Sequence, residues 1–300
     1  MRKFSVCYIT IAFFCACMFQ SYAQSPVRTQ AIIHTKINVE APEDEDVSQI
    51  SGNEDGGRRF NFRNMMDGET QSVVYIKGNL MKTTIQSETS KMALYRNDDE
   101  KSTTTIIEMM GTTQGFKLTD QEQADMQRTR DSMMLERRKK DTTRKFDPDR
   151  EKERRNPTVL FEKSNDIKSI AGIKCNKGYL ITLKMLGQRD TAIIWYAPEI
   201  RFNHLRFTGG LSGIPMMSMG NFGLTGTEQV EGFIMRYEMK MPRKRYMTVE
   251  VTKLELEKEV AAKELTIPSN IEIKPFREMQ QMFGGGRGGG WDGGGRQGRF

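Results

Sequence analysis

Cysteine is scarce and poorly placed for crosslinking. Three of the four cysteines, Cys7, Cys15 and Cys17, fall near the start, and Cys175 stands alone in the rest. A chain that loses its leader therefore forms no internal disulfide, and its fold must rest on packing. A lone thiol in an oxidising compartment is normally protected by burial. Histidine is nearly absent. His34 and His204 lie far apart with no ligand spacing around either, so no metal site is expected. The one long apolar run, Phe4 to Phe19, is too short and wrongly flanked for a membrane span. The glycine run beginning at Gly284 is followed by no Gly-Lys-Ser/Thr, which excludes a phosphate-binding loop. The acids sit mostly in charged loops or on wet strand faces, so no paired-carboxylate site stands out. No cofactor motif is present.

The start of the chain has an export leader's order. Arg2 and Lys3 precede the apolar run, and Ser21-Tyr22-Ala23 places small residues at −3 and −1 of a cleavage site before Gln24. Phe14-Cys15-Ala16 before Cys17 makes a poor lipobox, so lipidation there is not expected. Export to the periplasm or cell surface removes ATP, reducing thiols and nucleic acid from the surroundings. Losing Arg2 and Lys3 takes the formal charge from +7 to +5. That modest basic excess suits anionic lipid headgroups and peripheral membrane contact, and equally plain solubility.

Beyond the leader, apolar and polar residues alternate with the period of a half-buried strand. Ala31, Ile33, Ile37 and Val39 share one face, and His34, Lys36, Asn38 and Glu40 the other. Phe233, Met235, Tyr237, Met239 and Met241 repeat the pattern, as do Met247, Val249 and Val251 before Leu254 and Leu256. The phase slips around Thr252-Lys253, which predicts a bulge. Further strands are expected at 71–77, 80–87, 91–96, 102–109, 113–118, 177–186 and 190–196. Strands of this length joined by short turns predict a mainly β domain: an antiparallel sheet or open barrel with one wet face.

Three stretches interrupt the alternation. Residues 41–70 are acidic and then glycine-containing, and read as a long loop. Residues 120–157 are dense in charge, with Met126, Met133, Met134 and Leu135 interspersed. The first half can form a helix capped at Thr119-Asp120, so this is a helical or disordered insertion. It is either a solvated excursion or a partner-binding or membrane-surface helix. The 276–300 tail is Gly/Arg-rich and has little to bury, so disorder is expected. Such a tail suggests RNA binding in the cytosol. Export argues against nucleic acid and for a tether or assembly contact. The β domain thus comprises 24–119 and 158–275, split by the insertion.

Catalytic signatures fail on inspection. Gly210-Leu211-Ser212-Gly213-Ile214 superficially resembles a nucleophile elbow, but Ile214 stands where glycine is needed and the following segment is not helical. No catalytic residue is therefore assigned. Residues 193–224 are more informative. Ile193, Ile194, Trp195 and Tyr196 are apolar on both strand faces, and an apolar, Met-rich, glycine-threaded segment follows. Methionine fills irregular gaps and accommodates varied ligands. The segment is either a loop closing over the core or one wall of an apolar cleft. Trp195, Leu211, Ile214, Met216 and Met217 are the candidate lining residues.

Ile170-Ala171-Gly172-Ile173-Lys174-Cys175 resembles the signature of an exported Gram-negative family, domain of unknown function 4412. Tyr75-Ile76-Lys77-Gly78-Asn79, Ile107-Glu108-Met109-Met110-Gly111, Ile194-Trp195-Tyr196-Ala197-Pro198, Gly213-Ile214-Pro215 and Leu265-Thr266-Ile267-Pro268-Ser269 follow in that family's order. The resemblance spans about residues 29–273, apart from much of the insertion. It implies a fold similar to LolA-type lipoprotein carriers: a strongly curved antiparallel sheet, or half-open barrel, around an apolar cavity. It places the family cysteine at Cys175, read as a packed thiol just before a strand.

Two functional expectations follow. One is a non-enzymatic periplasmic protein whose curved sheet holds an acyl chain, lipid or lipoprotein tail. The other is an envelope protein with a filled core that binds protein partners through its insertion and Gly/Arg tail. An outer-membrane barrel gains support from terminal Phe300, but Gly284–Gly295 is unsuited to a last strand.

Overall fold

Isoleucine, valine and threonine at alternate positions favour extended backbone, because branched side chains pack well on a pleated surface. The computed structural model of the protein describes residues 27–40, 68–87, 90–109, 111–140, 157–183, 188–202, 226–241 and 245–278. Fourteen strands occur among these residues. In chain order they are β1 (Val27–Arg28), β2 (Gln30–Glu40), β3 (Gly68–Lys77), β4 (Leu80–Gln86), β5 (Ser90–Asn97), β6 (Ser102–Met109) and β7 (Thr112–Thr119). The helix α1 (Asp120–Lys140) separates these from β8 (Thr158–Ile170), β9 (Ile173–Leu183), β10 (Arg189–Ala197), β11 (Arg201–Phe202), β12 (Phe233–Lys240) and β13 (Tyr246–Glu255). A short helix α2 (Ala262–Leu265) and β14 (Ile273–Pro275) follow.

Twelve strands form one sheet in the order β14-β7-β6-β5-β4-β3-β2-β13-β12-β10-β9-β8. Every pairing in it is antiparallel except that of β14 with β7. β8 and β14 occupy opposite edges, so the sheet is open rather than a closed barrel. β1 and β11 pair separately and in parallel.

Tight turns fix the registers. Gly78 (φ 57°) opens the two-residue connection between β3 and β4, which suits a type II′ hairpin. Ala171 (φ 49°) and Gly172 (φ 79°) connect β8 to β9 with both central residues left-handed, a type I′ turn. The register between β13 and β2 shifts between Val251 and Lys253, which is the bulge expected at Thr252-Lys253. A second shift, in the β10–β12 pairing, lies between Trp195 and Tyr196.

The longest described strand has no counterpart in the hydrophobic pattern. β8 carries Glu162, Lys163, Asp166 and Lys168, and its side chains are mostly exposed. An edge strand needs partners on one side only, and charge along it discourages sheet-to-sheet pairing. Its alternation is therefore absent from the sequence. β9 begins at Ile173, so Cys175 lies within a strand and not before one.

α1 begins with a reciprocal cap. The Thr119 backbone N–H donates to Glu122 Oε2 at 2.9 Å, and the Glu122 N–H donates to Thr119 Oγ1 at 3.2 Å. This satisfies donors that the first helical turn leaves free. Arg96 of β5 anchors the same end by a forked pair with Asp120, 2.5 and 2.9 Å long.

The segment after β13 returns across the sheet. Lys77 Nζ reaches Glu259 Oε1 and the Val260 carbonyl, both at 3.0 Å. Lys82 Nζ pairs with Glu264 at 3.4 Å and lies 5.6 and 5.5 Å from the Tyr75 and Tyr95 ring centroids. Ile273 then settles beside Gly115, which has no side chain to obstruct it. By the two-residue period, Lys77, Lys82 and Gly115 face away from Ile76, Thr83 and Phe116. The strap therefore covers one side of β3–β7 and leaves the other side to be buried differently.

Candidate functional site

The buried side of β2, β3 and β4 has a definite chemical order. Along β2, Ala31, Ile33, Thr35, Ile37 and Val39 point the same way, and all are buried. Across the pairing, Thr35 faces Ser72, Ile37 faces Thr70 and Ile33 faces Val74. One strand further, Ser72 faces Ile85 and Val74 faces Thr83. Directly opposed Cβ atoms lie about 5 Å apart and diagonal neighbours about 7–8 Å. The hydroxyls of Thr35, Thr70, Ser72 and Thr83 consequently form one patch.

Apolar residues flank this patch at both ends. One cluster joins Ile37, Val39, Ile85, Met92, Leu94, Met247 and Val249, and continues to Phe116 and Leu180. The other joins Ala31, Ile33, Val74, Ile76, Met235 and Val251. The four hydroxyl residues are 3%, 1%, 1% and 1% exposed, in sequence order, and their side-chain oxygens have no hydrogen-bond partner among the described residues. Burying a hydroxyl without a partner costs on the order of 1–3 kcal/mol. Four neighbouring instances make this the least satisfied part of the described interior. No charged side chain belongs to the patch; Arg96, on the same side of β5, is engaged by Asp98 and Asp120. The patch can therefore hydrogen-bond an uncharged polar group.

Of the lining residues expected from sequence, only Trp195 is described; Leu211, Ile214, Met216 and Met217 lie outside the described residues. Trp195 is half-buried and packs against the second cluster. Its neighbours Ile194 and Tyr196 enter the first. Its cross-strand partners are Lys177 and Arg236. Lys168 and Lys177 place their ammonium groups 5.9 and 5.7 Å from its ring. The setting of Trp195 is therefore cationic as well as apolar. Lys177 also binds Asp166 at 2.9 Å, and that bond holds the Asp166 carboxyl below the usual range.

Other singled-out residues have structural partners. His34 lies 3.3 Å from Glu255. The Cys175 thiol is buried, sits 3.3 Å from the Ile173 carbonyl, and is pushed up to about 11 by burial. A thiol so poised is a poor nucleophile at neutral pH. Among the described residues no cluster of three or more metal-ligating side chains occurs. No helix among them is long and apolar enough to cross a membrane. The leader, Ser212, His204 and the Gly/Arg tail from 279 onward lie outside the described residues.

Sequence reasoning passed over the hydroxyl patch because threonine in a strand is ordinarily a residue of a wet face. The signal was present as phase: Thr35 falls in step with Ile33 and Ile37.

No family model matches the chain, and no curated protein matches it. Two solved structures of PNGF-II, in the P21 and C2 space groups, are similar with TM-scores of 0.35 and 0.36 at 9% and 10% identity. Each comparison covers 85% of this chain, which spans about a third of those chains, 33% and 32%. A likeness that weak carries no inference about fold or activity.

Proposed function

We propose that this chain is an exported, non-enzymatic protein of the periplasm or cell surface that holds an acyl chain, lipid or lipoprotein tail. The sheet would curve into a LolA-like half-open barrel with β2, β3, β4 and β13 along its inner wall. Support for curvature comes from strand number. Open, twisted sheets beyond about ten strands tend to curl, split or flatten, and this one has twelve. Curling lets a single sheet cover its own apolar side.

The observation that carries the reading is the hydroxyl patch between two apolar clusters. A filled core gains nothing from four unpartnered hydroxyls, whereas a binding wall uses polar groups to orient an otherwise apolar guest. Hydrocarbon then supplies the affinity, at about 0.8 kcal/mol per methylene buried.

Space-filling tests this. Ser72→Leu should compete with the guest for the patch. The reading predicts that acyl lipid co-purifying with the wild type is lost while the melting temperature holds. A filled core predicts overpacking instead, costing about 1–3 kcal/mol. Unchanged lipid content, or a large fall in melting temperature, would contradict the reading.

A further inference from the structure

The chemistry of the patch narrows the guest. We propose that Thr35, Thr70, Ser72 and Thr83 receive the uncharged carbonyl of an acyl ester or amide, with hydrocarbon running onto the apolar clusters on either side. The inference rests on the acyl-binding reading above and adds which part of the ligand is recognised, and by which atoms.

Three observations lead to it. First, each hydroxyl is a donor as well as an acceptor, and none has a partner among the described residues. A carbonyl accepts from two donors, so it can engage Thr35 and Ser72, which face each other across β2 and β3. Second, the patch holds no cation, and the nearest guanidinium in register, Arg96, is committed to two carboxylates. A free fatty-acid carboxylate would lose its hydration there with nothing to neutralise it. A neutral ester or amide would not. Third, the apolar flanks are unequal in extent. The first cluster, on the Ile37–Val39 side, reaches through Ile85, Met92 and Leu94 to Phe116; the second, on the Ala31–Ile33 side, reaches Ile170 and Cys175. A linker carbonyl between a long tail and a shorter apolar group matches that division.

The test compares two ligands of similar hydrocarbon length that differ in the carbonyl, with palmitate measured as a charged third. Methyl palmitate and hexadecane displace a polarity-sensitive anilinonaphthalene dye from the purified full chain and from the variant T35V/T70V/S72A/T83V. These near-isosteric changes remove hydroxyls without charging the interior, and should leave the melting temperature level or raised. Thr35→Val and Thr83→Val are measured singly as well, in case the combined variant does not fold.

Losing one or two hydrogen bonds should weaken methyl palmitate about tenfold, with hexadecane unchanged. Equal affinities of both ligands for wild type and variants would overturn the assignment of the carbonyl while leaving acyl binding intact. Displacement by neither ligand from the wild type would overturn the acyl-binding reading itself. Palmitate binding more tightly than its methyl ester would also refute the assignment, because a carboxylate would then be the preferred group.

Discussion

Substituting Gly178 by alanine should destabilise the protein only while Phe161 keeps its ring. Gly178 of β9 faces Lys163 of β8 in register, and the Phe161 ring lies over the glycine. An added Cβ would overlap Phe161 Cε2, lie 3.0 Å from its Cζ, and lie 3.2 Å from the Glu162 carbonyl oxygen. The ring must then leave, and with it goes the edge-on contact with Tyr196, whose centroid is 5.7 Å away at 75°. That contact is worth about 0.5–1.5 kcal/mol, and overpacking of this kind costs about 1–3 kcal/mol. Gly178→Ala should therefore cost about 2 kcal/mol. In a Phe161→Ala background the obstacle is gone. Alanine should then be neutral or return part of the roughly 0.5–1 kcal/mol that glycine sacrifices in a strand. Urea unfolding followed by Trp195 fluorescence gives all four corners of the cycle, and the coupling should be about 2 kcal/mol. A coupling near zero, with Gly178→Ala equally harmful in both backgrounds, would refute the reasoning and shift the cause to the Glu162 carbonyl.

Thr119→Ala should cost about 1 kcal/mol by opening the cap of α1, read by urea unfolding. Thr119 holds the Glu122 carboxyl below its ordinary value, so the cap's contribution is complete above about pH 4.3 and fades as pH falls through the depressed value. Helix loss by circular dichroism on acidification should be smaller in Glu122→Gln, which has no charge to lose. Ala171→Asn should stabilise the protein by about 1 kcal/mol, because the left-handed backbone at φ 49° suits asparagine far better than alanine. Cys175 should react with a thiol-directed disulfide reagent at pH 8 about a hundredfold more slowly than in the unfolded chain, from ionisation alone. Its raised thiol pKa favours the folded state below the unfolded value, and that contribution disappears as pH climbs from about 9 towards about 11. A Cys175 rate matching that of the unfolded chain would contradict its burial.

Much of the sheet was legible because alternation is a direct image of which side of a strand is wet. β2, β12 and β13 show it plainly, and even the Thr252-Lys253 slip reports a bulge. β8 was not legible, since an edge strand rich in charge carries no alternation. β14 was equally hidden, being three residues long and held by a cross-sheet strap that local sequence does not encode. The helix start was readable from Thr119 and Glu122, whose spacing permits the reciprocal cap. The site was less accessible. Trp195 stands out by size, yet its surroundings depend on Lys168 and Lys177, which reach it only through strand pairing. The hydroxyl patch depends on the registers of β2, β3 and β4 together. The Ile170–Cys175 motif behind the family resemblance proves to be a hairpin turn followed by a packed thiol. What it encodes locally is folding geometry, with the left-handed pair Ala171-Gly172 at its centre.

The central claim is that the interior holds an acyl ligand, and native mass spectrometry tests it most directly. The full chain is expressed with its leader, purified from the periplasm without detergent, and weighed intact and after denaturation. The account predicts a discrete adduct with the mass of an acyl lipid on the folded protein, absent after unfolding, on a chain that begins at Gln24. A folded protein of bare polypeptide mass that takes up no acyl ester when one is supplied would contradict it.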